Sequence, residues 1–202
     1  MIRFLLCLAL ILTLLLSGAL LATHARPLDP AINDLLTQSP GCRPTASLCF
    51  MGIYPDASTL DQAVAALNAH PWVGQVDTRS QNMVSWTWSD QTPAFIDSGV
   101  PGSASERDTM HISLIRVKTR YNYGDIWLQL GTPTQGYAIR QPSGFLHGVY
   151  YTRYSMLAIN AMPCPASVSD FWTMPVIIQF GDAYTLLDSH YREQSAHFRA
   201  CP

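Results

Sequence analysis

His190, Glu193 and His197 have the types and spacing to do chemistry. On a helix, steps of three and four residues bring two imidazoles and a carboxylate to one face, close enough to share a metal ion. Zinc-binding helices carry H-E-x-x-H or H-x-x-E-H, however, and Gln194 stands where the second pattern needs histidine. A polar face on a solvated terminal segment accounts for the same residues and is the preferred reading. Asp188-Ser189-His190 contains triad residue types, but sequence neighbours do not converge as nucleophile, base and orienter. The chain has no G-x-S-x-G elbow and no G-x-G-x-x-G or G-x-x-x-x-G-K-[ST] phosphate loop. A hydrolase-type enzyme would have to assemble its site from dispersed residues such as Asp125, His147 and Tyr151. The failed motif search favours a non-enzyme with no cofactor and no metal. A third reading is a ligand sensor tethered to a membrane.

Cysteine chemistry points to cross-links. Cys7 lies in an apolar N-terminal run, which leaves Cys42, Cys49, Cys164 and Cys201. An even count in an exported chain favours disulfides. Of the three pairings, Cys42–Cys49 and Cys164–Cys201 each close one end of the chain locally. No C-x-x-C pair occurs, which argues against a metal–thiolate site.

Export itself is read from Arg3 followed by the run Phe4–Ala22. A basic start, an apolar middle and a small-residue exit form a secretory signal, with Thr23 and Ala25 placed for cleavage before Arg26. The run is also long enough for an uncleaved anchor. Both alternatives put the remainder outside the cytoplasm, since Arg3 stays inside. The membrane is expected to be met only through residues 4–22.

Composition bounds the partners. Twelve basic and fourteen acidic residues give a formal net charge of −2, and charged residues are 13% of the chain. Without a basic stripe or an acidic tail, nucleic acid is not an expected partner. A protein partner in the cell envelope is. Tyr150 and Tyr151 are adjacent, so on a strand they face opposite ways. Either one is exposed as part of a recognition surface, or the sheet is covered on both faces. Trp86 and Trp88, by contrast, read as core.

Several elements must position these groups. Residues 26–48 read as a linker. Thr59-x-x-Gln62 fits a capping box, and Leu60, Ala63, Val64 and Leu67 follow helical spacing until His70-Pro71. Trp72 and Val73 then fold back onto the core. Val84, Trp86 and Trp88 alternate with polar residues over the strand 83–88. Residues 97–109 read as a polar turn region, and 111–119 as a strand. A short helix follows, with Asp125 near its start and Gly131 at its C-cap. Strands are expected at 136–141, 146–151, 154–160 and 174–180, the first two joined as a hairpin through Pro142, Ser143 and Gly144. The C-terminal residues 189–202 fit either a helix or irregular structure. The whole implies an α+β domain over 49–202, with short helices on one face of an antiparallel sheet and two tandem helix-plus-meander units, 49–119 and 120–202, after the segment 1–25.

The stretch Cys49-Phe50-Met51-Gly52-Ile53-Tyr54-Pro55, with its Leu-ended helix and His70-Pro71-Trp72-Val73, resembles a group of uncharacterised extracytoplasmic bacterial proteins. Their pattern is Cys-Trp, Gly-Ile, Pro-Gly, a Thr, an acidic-Ala pair and a helix ending in Leu. Phe50, Asp56 and Gln62 depart from it. Residues Tyr123 to Pro133 resemble that group's second helix. Over residues 49–160 both pieces are similar to the β-lactamase-inhibitor-protein-like and SmpA/OmlA-like folds. That resemblance implies protein binding or envelope assembly and carries no catalytic residues.

Overall fold

The computed structural model describes residues 11–14, 42, 49–106, 110–133 and 135–181. The chain divides into two compact units, Met1–Pro30 and Ala31–Pro202. In the first, residues 11–14 are helical, and Ile11, Leu12 and Leu14 are exposed. Among the described residues no helix is long and apolar enough to cross a membrane. Most of the apolar run 4–22, and all of the linker 26–48 but Cys42, lie outside the described residues.

The second unit is α+β. Its elements run α1 (Leu60–Ala69), β1 (Val73–Ser80), β2 (Met83–Trp88), β3 (Gly102–Glu106), β4 (Ile112–Asn122), α2 (Tyr123–Leu130), β5 (Gln135–Gln141), β6 (Gly144–Tyr151), a 3-10 turn at Thr152–Tyr154, β7 (Met156–Pro163), α3 (Val168–Thr173) and β8 (Pro175–Gly181). All eight strands form one antiparallel sheet in the order β1-β2-β3-β4-β8-β7-β6-β5. Each four-strand run meanders, and the two runs join where β4 meets β8. The expected division at 119/120 therefore falls inside β4.

Local chemistry explains the helices. Thr59 Oγ1 accepts from Gln62 N–H at 3.3 Å, while Gln62 Oε1 accepts from Thr59 N–H at 3.0 Å. That reciprocal box satisfies two donors that the first turn leaves without helical partners. Ala63 and Leu67 then bury completely. At the other end, His70 Nδ1 accepts from Trp72 N–H at 3.2 Å, and the Trp72 ring meets Phe95 edge-on at 6.4 Å. In α2, Asn122 N–H donates to Asp125 Oδ2 at 3.0 Å, and Gly131 N–H returns to the Trp127 carbonyl at 2.8 Å. α3 repeats the device, with Ser167 N–H donating to Asp170 Oδ2 at 2.8 Å.

Cross-strand register defines the core. Val84, Ala104, Ile115, Phe180, Met156 and Tyr151 stand opposite one another in turn across six strands. Each is at most 4% exposed. Ala63, Leu67, Tyr123 and Ile126 of the helices join the same cluster, with Trp86 inside it and Trp88 against it.

Three elements differ from the sequence expectation. β3 occupies the stretch read as a turn region. Its sequence, Gly-Ser-Ala-Ser-Glu, lacks strand-favouring side chains, but Gly102 makes room for the Trp86 ring and Ala104 fills the core. β1 is polar because it is an outer strand, and it went unread for that reason. α3 is six residues long, too short for a periodic signal.

Candidate functional site

Chemistry-capable side chains come together in the second half of the sheet, and they come together inside it. His147 on β6 stands opposite Asn160 on β7. Asn160 Oδ1 accepts from His147 Nδ1–H at 3.1 Å, and the two residues are 3% and 2% exposed. Burial pushes the imidazole down to about 4, against a smaller opposing pull from the Asn160 hydrogen bond, so His147 is neutral near pH 7. Tyr123, fully buried on α2, meets the His147 ring edge-on at 5.5 Å. Trp127 lies 5.7 Å from Tyr123 and 5.8 Å from Trp172 of α3.

Asp125 does not join this cluster as an acid or base. It is exposed, and its carboxylate serves the α2 cap. Tyr151 shares a strand face with His147 four residues away, which separates their Cα atoms by about 13 Å. Burial raises the Tyr151 phenol above its ordinary value, with a smaller lowering influence from the neighbouring Tyr123. Asp125, His147 and Tyr151 thus form no proton-transfer array: one caps a helix and two pack in the core.

Tyr150 and Tyr151, the expected recognition pair, are 2% and 4% exposed. Their side chains enter opposite faces and both faces are covered, so neither ring is available to a partner. Tyr151 packs with the main core, and Tyr150 with Tyr137, Leu157, Ile159 and Leu146.

The sheet face opposite the core changes character along one cross-strand row. In β1 to β4 the row is Asp77, Ser85, Ser103 and Arg116. It continues through Gln179, Leu157 and Tyr150 in β8, β7 and β6. The first four are half-buried or exposed, while the last three are at most 6% exposed. Arg116, Lys118 and Arg120 alternate along β4 on this polar side. Gln179, with its amide oxygen turned to Arg116, accepts from Nη2 and Nε at 2.7 and 2.8 Å. Lys118 pairs with Asp97 at 3.1 Å, and the hydrogen bond from Lys118 is the main cause holding the Asp97 carboxyl below its ordinary value. Arg79 and Asp77 form an exposed pair at 2.8 Å. The result is a hydroxyl-rich surface on which Arg116 and Arg120 are exposed, Arg116 with two of its nitrogens turned to Gln179.

A disulfide joins Cys42 to Cys49, with Cα atoms 5.7 Å apart, as the spacing suggested. Such a bond fits an oxidising compartment. Cys164 is also disulfide-bonded; Cys201, its expected partner, lies outside the described residues. His190, Glu193 and His197 lie outside them too. Among the described residues no three His, Cys, Asp or Glu side chains gather as a metal site.

Sequence reasoning missed Asn160 and the Arg116 surface, because both are defined by strand register. The alternation of charge in Arg116-Val117-Lys118-Thr119-Arg120 was the available signal. Searches against protein-family models, curated proteins and solved structures find no match.

Proposed function

We propose that this chain is a non-enzymatic, extracytoplasmic domain that binds a protein partner in the cell envelope through the open face of β1 to β4. The observation that carries this reading is the polar row of half-buried Asp77, Ser85 and Ser103 ending at exposed Arg116, beside a second half whose corresponding face is buried. We read the three helices as lying on the core face, which leaves this one free. Guanidinium groups amid hydroxyls suit a partner surface with carboxylates and carbonyls. We read kinship with β-lactamase-inhibitor-protein-like and SmpA/OmlA-like domains from the resemblance of residues 49–160; a helix followed by four strands occurs twice, with α3 inserted before β8 in the second. Delivery by residues 4–22, as a cleaved signal or an anchor, is part of the same reading, and the Cys42–Cys49 disulfide supports it. A hydrolase is disfavoured because His147 is walled into the core and Asp125 is committed to a cap.

The test is capture from detergent-solubilised envelope by the purified full chain and by its Arg116→Glu/Arg120→Glu variant. A partner retained by the first and lost by the second is expected. Equal retention by both, or a hydrolase activity abolished by His147→Gln, overturns the proposal.

A further inference from the structure

A sheet cannot seal its own face: side chains standing on one layer meet solvent unless a second layer packs about 10 Å away. The second half of the sheet is sealed on the face away from the main core. Tyr137, Tyr150, Leu157 and Ile159 are at most 4% exposed there, and every member of their cluster, Leu146 included, stands on β5, β6 or β7. Ala63 and Leu67 of α1 and Tyr123 and Ile126 of α2 belong to the main core, and α3 meets α2 through Trp172. The cover is thus none of the three helices.

Exposure on this face is graded, and the gradient shows where the cover is tightest. Along β8, Pro175 is exposed, Ile177 half-buried and Gln179 buried. Leu157, opposite Gln179, is 0% exposed. At the other end of the patch Ile139, in the row of Leu146 and Ala161, is 40% exposed. Sealing is therefore closest beside Gly181, where β8 ends and the chain continues into residues 182–202. The sequence of that stretch suits an apolar patch. Tyr184, Leu187, Tyr191 and Phe198 recur at steps of three, four and seven residues, the spacing of one helix face. A tether for its end is also present. Cys42 and Cys49 bond each other, Cys164 is disulfide-bonded, and Cys201 is the cysteine left in the same compact unit. Cys164 directly follows β7, about 26 Å of strand beyond Met156, which stands opposite Phe180. The twenty residues from Asp182 to Cys201 span about 30 Å even as a helix, enough to cross the patch and reach Cys164.

We infer that residues 182–202 fold back across β5 to β8 and form the second layer on this face, tethered by a Cys164–Cys201 disulfide. The inference is independent of partner binding at Arg116. Gln135 on β5 is exposed and continues the sealed row of Gln179, Leu157 and Tyr150, so a benzophenone side chain there reports what lies on the patch without disturbing it. Irradiation of the purified full chain, followed by peptide mapping, should give intramolecular adducts with residues 182–202. Mapping without reduction should recover the Cys164 and Cys201 peptides as one. Leu187→Asp with Tyr191→Asp should abolish the adducts and raise the binding of an apolar-surface dye several-fold, as the patch opens to water. The crosslink in the otherwise unchanged chain stands even where that variant fails to fold. Adducts with residues 31–48 in place of 182–202, adducts only between molecules, or no adduct at all overturn the inference. Cys164 joined to any cysteine but Cys201 overturns it as well.

Discussion

Each half of the sheet seats an aromatic ring over a cross-strand glycine, but on opposite faces. In the first half Trp86 covers Gly102, where a Cβ would lie 2.3 Å from the indole. In the second half Tyr137 covers Gly148, where a Cβ would lie 2.4 Å from the phenol ring. Trp86 belongs to the main core and Tyr137 to the small cluster behind it. The first half therefore needs one covered face, and the second is packed on both. That difference is what leaves β1 to β4 with a surface to offer.

Truncating the first ring should have the largest effect. Trp86 is 1% exposed, and Trp86→Ala opens a void between two strands at a cost of about 3–5 kcal/mol. Urea denaturation of the two chains measures it; a change near zero would mean that the first half is not held by its single covered face.

The doubly covered half should be the acid-sensitive one. Because the His147 pKa falls from 6.5 to about 4 on folding, the unfolded chain binds more protons between those values. Stability from this group is complete above pH 6.5 and is lost as pH falls toward 4, on the order of 3 kcal/mol in all. Comparing pH 7 with pH 4, the wild type should lose that much more stability than His147→Leu. Parallel pH profiles would place His147 in water rather than in the core.

How much of this was readable follows the same divide. Where one face is open, the sequence alternates, and Val84-Ser85-Trp86-Thr87-Trp88 yielded both strand and inward face. The Thr59 cap, Asp125 and Gly131 were readable because caps are local. Where both faces are covered, the pattern becomes a run such as Val149-Tyr150-Tyr151, which marks a strand but names no exposed side. That is why two alternatives stood open for the tyrosines until burial decided between them. β3 was hidden because its small residues serve their neighbours' side chains. The pairing of His147 with Asn160 and the row to Arg116 depend on register between distant strands, which no local pattern encodes.

The smallest effect distinguishes the two rings by their polar atoms. Tyr137 Oη is buried with no hydrogen-bond partner, and burial pushes its phenol up to about 12. Tyr137→Phe should hold stability or raise it by up to about 1 kcal/mol, since it removes an unsatisfied hydroxyl and keeps the ring over Gly148. A clear loss in thermal melting would mean that the hydroxyl has a partner.

The most direct test of the binding account is photo-crosslinking in cells that naturally express the chain, with the reactive side chain placed either at exposed Thr87 on the open face or at Leu128 on α2, which is 79% exposed. The account predicts a discrete adduct with another envelope protein from Thr87, none from Leu128, and loss of the first when Arg116→Glu/Arg120→Glu is added. An adduct from Leu128 alone, or a Thr87 adduct indifferent to those two arginines, would contradict it.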